Sequence, residues 1–449
     1  MSPHTLSDAR ALLSAGKISP SELLEEYIRN IEAAEPIVQA WTCLRLEEAR
    51  EHARKLDGKM SSHDELPALF GIPYGAKDIF CTRGIPTEAG SRVLAGFVPS
   101  EDATVVARLA AQDAILLGKT TTTEFANLGN PPPTANPWNV AHTPGGSSSG
   151  SAAAMAARMA LFTLGTQTAG SLSRPAAFNG LTVLKGTFGR ISKAGVFPAA
   201  HSLDHIGALT HSVQDSVMFF NAVSGPDPRD ETTRYLPHQP LSIRAAKDYV
   251  VGLLEDPYFD IAEEVAMSLL DDAIRTLERE GVQVRRVRAP DGFQAAAAAQ
   301  HVVMQAEVAA YHADTFRTRG HLFHPSLQEF IENGLKIPAE QYLNAQRTRD
   351  AYRSAFDKLF EDVGILVTPS AVGPAPAGLG ATGSPVFNLP FTSLGVPTLA
   401  LPIGFSPEGL PVGMQMIAPH LEEQRLVDLG HCYQTITDWH LQRPPMLAA

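Results

Sequence analysis

The first 60 residues carry apolar side chains at the spacing of amphipathic helices. A helix-start signal, Ser19-Pro20-Ser21-Glu22, opens the clearest stretch. Apolar residues then recur on one face of a 3.6-residue period: Leu23, Leu24, Tyr27, Ile28 and Ile31. The pattern predicts that the chain begins with packed helices.

A second helical pattern runs from Asp260 to Gly281. Asp260 stands at the cap position, Glu263 stands at the capping-box position, and Gly281 closes the segment. The predicted buried stripe consists of Ile261, Val265, Leu269, Ile274 and Leu277.

Short apolar runs indicate strands between the helical segments. They occur at residues 68 to 80, at 114 to 117 before Gly118, at Val282 to Val287, and at 365 to 367. Helices that alternate with such strands are typical of a layered α/β fold. No stretch is typical of an interdomain linker, so we expect one domain over residues 1 to 449.

Two segments rich in glycine and serine interrupt these patterns. Residues 129 to 150 contain Pro131-Pro132-Pro133 and Gly145-Gly146-Ser147-Ser148-Ser149-Gly150, which exclude regular structure there. A helix of small residues, 151 to 157, is predicted next, and small side chains favour a central position. The second segment covers residues 165 to 175.

Composition narrows the possible binding partners and the possible cellular compartment of the protein. The chain has 36 Lys and Arg against 48 Asp and Glu, a net charge of -12, which disfavours nucleic acid as a partner. Three widely spaced cysteines form no disulfide framework and suit a reducing compartment. Residues 1 to 5 begin no secretory signal, and the apolar run from 152 to 164 is too short to span a bilayer. We therefore expect a cytoplasmic protein that does not bind membranes.

Several familiar motifs are absent or incomplete. The sequence has no HExxH motif and no cysteine pair at metal-ligand spacing, and His201 and His205 are expected to be structural. Gly118-Lys119-Thr120 ends like a phosphate-binding loop, but Asp113 replaces its first glycine. Residues 146 to 150 match the G-x-S-x-G nucleophile elbow but follow a loop rather than a strand.

The arrangement of motifs nevertheless resembles one family. The run 145 to 150 lies downstream of Gly75-Ala76-Lys77-Asp78 and upstream of Thr166-Gln167-Thr168-Ala169-Gly170-Ser171. Further matching segments are Thr121 to Ala126, Ser202-Leu203-Asp204, Asn388 to Gly395 and Pro411 to Met416. Together they are similar to the amidase-signature family over about residues 5 to 430. The resemblance implies a large mixed β-sheet with helices on both faces, a signature core at about 65 to 215, and a more variable substrate rim at about 225 to 385.

The resemblance also implies a catalytic triad. Ser171 matches the nucleophile, Ser147 the bridging serine after a cis peptide bond, and Lys77 the general base. The implied oxyanion hole consists of the backbone N–H groups of Thr168, Ala169, Gly170 and Ser171. A lysine can act as base only when neutral, and burial lowers its pKa from about 10.4.

Three nearby residues are candidates for substrate binding: Thr166, Gln167 and Arg174. The family often carries arginine two residues after the nucleophile, whereas Arg174 lies three after Ser171, as in the malonamidase-like subgroup, where it contacts a substrate carboxylate. Arg174 either binds such a carboxylate or is a structural residue bonded to local carbonyls. Other departures from the common pattern are Ser149 and Ala169 in place of glycine, Gln167 in place of aspartate, and Gly186 in place of proline.

We therefore expect an amidase that hydrolyses a small carboxamide through a serine acyl-enzyme, without a metal or an organic cofactor, as a homodimer. A glutaminase-like A subunit of a tRNA-dependent amidotransferase, working with partner subunits, is the first alternative. A non-catalytic amide-binding protein is the second.

Overall fold

The computed structural model describes residues 5–60, 66–127, 129–245 and 249–447. Residues 1 to 4, where no secretory signal is expected, lie outside the described residues. Across those ranges the chain forms thirteen α-helices and one sheet of eleven strands. No helix in these ranges is both long enough and apolar enough to cross a bilayer.

The elements alternate along the chain. The strands are β1 (Trp41–Leu44), β2 (Pro73–Lys77), β3 (Ile115–Thr120), β4 (Phe162–Gln167), β5 (Thr182–Lys185), β6 (His205–Thr210), β7 (Val250–Glu255), β8 (Gln283–Arg288), β9 (Ile365–Pro369), β10 (Thr398–Phe405) and β11 (Pro411–Ile417). The helices are α1 (Leu6–Ser14), α2 (Pro20–Val38), α3 (Leu46–Met60), α4 (Thr104–Ala111), α5 (Ser149–Ala156), α6 (Ser173–Asn179), α7 (Val213–Val223), α8 (Glu264–Arg279), α9 (Phe293–Arg319), α10 (Pro325–Gly334), α11 (Ala339–Asp357), α12 (Leu389–Leu394) and α13 (Glu423–Ile436).

The sheet is mixed, as the resemblance implies. Its strand order is β1-β3-β2-β4-β6-β5-β10-β11-β9-β7-β8. Strand β2 pairs in parallel with β3 and β4, and β7 pairs in parallel with β8 and β9, while the other pairs are antiparallel. Strands from the predicted core and from the predicted rim therefore belong to one sheet. The assignment of the whole chain to one domain stays a prediction.

Helices cover both faces of the sheet. In β5, Val183 packs into a cluster with Met155 of α5 and Ala176 of α6, whereas its neighbour Leu184 packs into the larger core that contains Phe220 of α7. Successive strand residues point to opposite faces, so α5 and α6 lie on one face and α7 on the other. The buried small-residue helix α5 confirms the predicted central helix, which starts two residues earlier than expected.

The predicted helix start at Ser19 is confirmed. Its side chain accepts a hydrogen bond from the Glu22 backbone N–H, and Glu22 completes the capping box. The predicted start at Asp260 is wrong. Asp256 caps a short 3-10 turn, Pro257–Phe259, so Asp260 ends that turn and α8 begins at Glu264.

The buried face of α8 also differs from the predicted stripe. Ile261 is 57% exposed, and Val265 and Leu269 are only partly buried. The buried residues are Ala266, Leu270, Ala273, Ile274 and Leu277, of which only the last two belong to the predicted stripe. The predicted helix end is confirmed, because Gly281 follows the last turn with a positive φ of 86°.

Candidate active site

Two parallel strands carry the predicted base and the predicted oxyanion segment to the same edge of the sheet. Lys77 is the last residue of β2, and Thr166 and Gln167 end β4, the strand beside it. Ser147 precedes α5, and Ser171 precedes α6, on the face that these two helices share. The fold therefore gathers residues that are up to 94 positions apart in the sequence, the interval from 77 to 171.

Lys77 is fully buried among hydroxyl groups. Its Nζ lies 2.8 Å from Ser147 Oγ, 3.1 Å from Ser148 Oγ and 2.8 Å from Thr166 Oγ1. Burial lowers the pKa of Lys77 to about 7, and the charge of Asp204 opposes this shift. The lysine is therefore substantially neutral just above neutral pH. A neutral amine keeps one lone pair, so one of the three hydroxyls then donates to Nζ.

Ser147 follows a cis peptide bond from Gly146, as the resemblance implies. Gly146 is packed closely, since a Cβ atom there would lie 2.6 Å from Thr382 Cγ2. Ser147 is buried, and its hydroxyl faces the lysine. The structure thus joins two of the three predicted catalytic groups by a direct hydrogen bond.

Ser171, the predicted nucleophile, is the most exposed of the three predicted catalytic residues, with a relative exposure of 9%. Among the described residues Ser171 Oγ makes no hydrogen bond with Ser147. Catalytic hydrogen bonds often form fully only when substrate binds. The step from Ser171 to Ser147 therefore stays a prediction.

The segment before Ser171 has the properties of an oxyanion hole. In the described part of the chain, the backbone N–H groups of Ala169, Gly170 and Ser171 make no hydrogen bond. Thr168 is fixed through its side chain, whose Oγ1 donates to Asp204 Oδ1 at 2.5 Å. Gly170 is tightly enclosed, because a Cβ atom there would lie 2.7 Å from Asn388 Oδ1. Unpaired N–H groups on a fixed backbone suit a developing negative charge.

Arg174 is buried beside the cis peptide. One terminal nitrogen donates to the Gly146 carbonyl and lies 3.2 Å from Thr382 Oγ1. Its Nε is buried without a partner, and no carboxylate pairs with the guanidinium among the described residues. Burial lowers the pKa of Arg174 to about 9, which leaves it charged at neutral pH. Both predicted roles keep support, since the side chain binds a local carbonyl yet retains an unpaired nitrogen.

Thr166 and Gln167 are bound within the protein. Thr166 Oγ1 contacts Lys77, so this side chain orients the base. Gln167 Oε1 accepts from the backbone N–H groups of Leu172 and Ser173, each at 2.9 Å, and its Nε2 donates to Thr392. Gln167 therefore caps the start of α6. The assignment of Thr166 and Gln167 to substrate binding stays a prediction.

Sequence reasoning missed several supporting residues. Ser148 and Asp204 lie inside the motifs that carried the resemblance, but nothing in those motifs assigned them a contact. Gln300 gave one weak signal, as a polar residue directly after five consecutive alanines. It lies on α9, is completely buried, and reaches the Thr168 carbonyl.

Comparison with known proteins shows the family to which this chain is similar. The model of the Amidase family matches residues 22–427. The A subunit of glutamyl-tRNA(Gln) amidotransferase from Chloroflexus aggregans is 36% identical, with 99% of each chain covered.

Solved structures share the fold of this chain. A chain from a vestigial protein complex that reveals the evolutionary origins of an s-triazine catabolic enzyme superposes with a TM-score of 0.89 at 32% identity, covering 96% of this chain and 98% of the other. The native peptide amidase from Stenotrophomonas maltophilia gives a TM-score of 0.83 at 28% identity, with 98% of each chain covered.

Proposed function

Because this chain belongs to the amidase family, we propose that it hydrolyses a small carboxamide that carries a carboxylate, through an acyl-enzyme on Ser171. The observation that carries the proposal is the buried hydrogen bond between Lys77 and Ser147. Serine is a weak nucleophile until a base removes its proton, and this contact supplies a base of lowered pKa one hydroxyl away.

The proposed reaction has two halves. Ser147 takes the proton of Ser171 while passing its own to neutral Lys77, and Ser171 Oγ attacks the amide carbon. The N–H groups of the predicted oxyanion segment, Thr168 to Ser171, bind the oxyanion. Collapse of the tetrahedral intermediate breaks the C–N bond, and the proton returns through Ser147 to the departing ammonia or amine. Water then attacks the acyl-enzyme by the same proton route and releases the carboxylic acid and free Ser171.

Arg174 supports the choice of an anionic substrate. A buried guanidinium without a carboxylate partner is costly, and a bound carboxylate would offset that cost through charge-assisted hydrogen bonds. Arg174 Nε makes no hydrogen bond among the described residues, so the guanidinium keeps donor capacity that the protein does not use.

A fluorophosphonate probe together with a panel of small amides tests the proposal. We expect the probe to label the purified chain but not its Ser171→Ala variant, and we expect turnover of amides that bear a carboxylate. A chain that is labelled equally with and without Ser171 would refute the assignment of the nucleophile. A non-catalytic amide-binding protein would give neither labelling nor turnover, and the intact Lys77, Ser147 and Ser171 argue against it.

The second candidate is an A subunit of a tRNA-dependent amidotransferase. The similarity to such subunits, 36% identical over nearly the whole chain, supports this candidate more directly than a free-standing amidase. Glutamine is itself a small carboxamide with a carboxylate, so both candidates use the same chemistry at Ser171. They differ in their partners.

Assay of the chain purified alone separates the two candidates. A free-standing amidase turns over its amides as a homo-oligomer, which we propose to be a dimer, and light scattering measures that state. An amidotransferase subunit hydrolyses glutamine efficiently only when partner subunits are added. Full activity without partners would exclude the second candidate.

A further inference from the structure

Three successive peptide groups before Ser171 are each held by their carbonyl oxygen. The Thr168 carbonyl accepts from Gln300 Nε2 at 2.8 Å, and the Ala169 carbonyl accepts from Thr392 Oγ1 at 2.7 Å. The Gly170 carbonyl accepts from the Arg174 backbone N–H at 3.0 Å. Two of these three donors are side chains that lie far from the segment in sequence.

The planarity of the peptide bond gives these contacts a consequence. In a trans peptide the C=O of one residue and the N–H of the next point in opposite directions. A donor that holds the Thr168 carbonyl therefore also aims the N–H of Ala169. In the same way Thr392 aims the N–H of Gly170, and the first turn of α6 aims the N–H of Ser171.

We infer that Gln300 and Thr392 are positioning residues that orient the oxyanion-hole N–H groups of Ala169 and Gly170. The inference rests on the proposed function, because it assumes that these N–H groups face a developing oxyanion. Gln300 lies on α9, within the segment that the resemblance treats as a variable rim, and Thr392 lies on α12, beyond that segment. The rim therefore helps to build the catalytic loop, residues 168 to 171.

Burial makes the Gln300 contact specific. The side chain is 0% exposed, and among the described residues its Oε1 has no hydrogen-bond partner, so the contact with Thr168 is the side-chain hydrogen bond that holds Gln300 there. Without the glutamine donor, the 168–169 peptide could rotate without losing another carbonyl contact. The Asp204 contact with Thr168 Oγ1 would still hold the side chain, which limits the damage to the peptide plane.

Kinetics of a Gln300→Met variant test the inference. Methionine keeps the length and shape of the side chain but removes the donor. Since the loss of one oxyanion donor lowers kcat by about 100-fold to 1,000-fold, misorientation of one should lower it by about 10-fold to 100-fold. We expect KM to stay within threefold of wild type and the pH dependence to stay unchanged, because Lys77 is not touched. Labelling by the fluorophosphonate should slow by a similar factor.

Gln305 offers a matched control on the same helix. Its Nε2 donates to the Phe330 carbonyl at 3.2 Å, so Gln305→Met also removes a glutamine-to-carbonyl bond of α9, but away from the loop. We expect Gln305→Met to retain kcat within twofold. Equal losses in both variants, or wild-type kcat in Gln300→Met, would overturn the inference.

Thr392 provides a second route if Gln300→Met does not fold. Thr392→Val removes the hydroxyl with little change in shape, and with it the contacts to the Ala169 carbonyl, the Asn388 carbonyl and Gln167 Nε2, whereas Thr392→Ser keeps all three. We expect the valine variant to lose kcat and the serine variant to recover most of it, and equal kcat in the two would overturn the inference. If the wild-type chain itself turns over no amide, the proposed function fails, an outcome distinct from either result.

Discussion

Lys77 Nζ lies 2.8 Å from Ser147 Oγ in a contact that is fully buried. Asp204 influences the lysine through its charge, but its oxygens are occupied by Thr168 Oγ1 and the backbone N–H groups of residues 199 and 200. The lysine is therefore surrounded by neutral hydroxyls rather than by a bonded carboxylate. Such an environment favours the uncharged amine, which is the form that can accept a proton.

The first prediction concerns the pH dependence of turnover. Because burial lowers the pKa of Lys77 to about 7, protonation below that pH removes the base. We expect kcat/KM to fall about tenfold per pH unit below pH 7 and to level off above about pH 8. Steady-state rates between pH 5 and 9 measure this profile. Activity that rises on acidification from pH 8 to 6 would contradict the role of Lys77.

Lys185 supplies the control for that profile. It is also completely buried, burial lowers its pKa to about 7, and it donates to the Val396 carbonyl rather than to the triad. Lys185→Met should keep the midpoint of the pH profile, even if it lowers stability. A shifted midpoint in this variant would assign the titration to Lys185 and would contradict its assignment to Lys77.

The second prediction concerns stability. Between about pH 7 and pH 10.4, the unfolded chain binds a proton at Lys77 that the folded chain does not. Wild-type stability should therefore fall as the pH drops through this window, and Lys77→Met should lack that contribution. Urea denaturation at pH 7 and 9 measures the difference. A stability difference between variant and wild type that does not depend on pH would contradict the lowered pKa.

The third prediction concerns the pairing of β1 with β3. Gly118 has a φ of 152°, and a Cβ atom there would lie 2.0 Å from the Cys43 carbonyl oxygen. The backbone of residue 118 fixes the position of the Cβ atom, and the oxygen belongs to the backbone of Cys43. No side-chain rotation can therefore relieve the clash. We expect Gly118→Ala to destabilise the fold by at least about 2 kcal/mol, measured by chemical denaturation.

Gly58 is the matched control. It lies in α3, and a Cβ atom there would meet no atom within 4 Å. Alanine favours a helix over glycine by up to about 1 kcal/mol, so Gly58→Ala should leave stability unchanged or raise it slightly. Equal destabilisation by both alanine substitutions would show that the close approach at Gly118 has no effect.

The resemblance to the family predicted the triad, because its members lie in short motifs that match the family's arrangement, and the role of Ser171 stays a prediction. Lys77 and Ser147 meet since one ends a strand and the other precedes a helix, and both positions could be inferred from local pattern. Gln300 could not be predicted in this way. Its contact with Thr168 depends on how α9 packs against the catalytic loop, and no local pattern encodes the packing of segments 132 residues apart.

The helix α8 illustrates a different limit. The residues from Asp260 to Glu263 match a capping box, but Asp256 and Pro257 offer a competing start signal four residues earlier. The earlier signal forms a 3-10 turn, and the Glu263 backbone N–H bonds the Val372 carbonyl at 2.7 Å. A contact from a distant segment thus accompanies the later helix start. Local pattern indicated the helix and its end, while tertiary contact decided its beginning.

The last prediction concerns Arg174. Its terminal nitrogen binds the Gly146 carbonyl beside Ser147, so Arg174→Ala should slow every substrate to some degree. If the guanidinium receives a substrate carboxylate, the loss must be larger for anionic amides. We expect kcat/KM for succinamate to fall at least tenfold more than kcat/KM for 4-methylpentanamide, a neutral amide of the same shape.

Arg174→Lys is the control for charge without the guanidinium fork. It should recover part of the activity on succinamate, because a point charge replaces a bidentate donor. Equal losses on the two amides in Arg174→Ala would instead assign the arginine to the support of the cis peptide. The ratio of the two losses therefore separates a substrate-binding role from a structural one, although a single substitution removes both contacts.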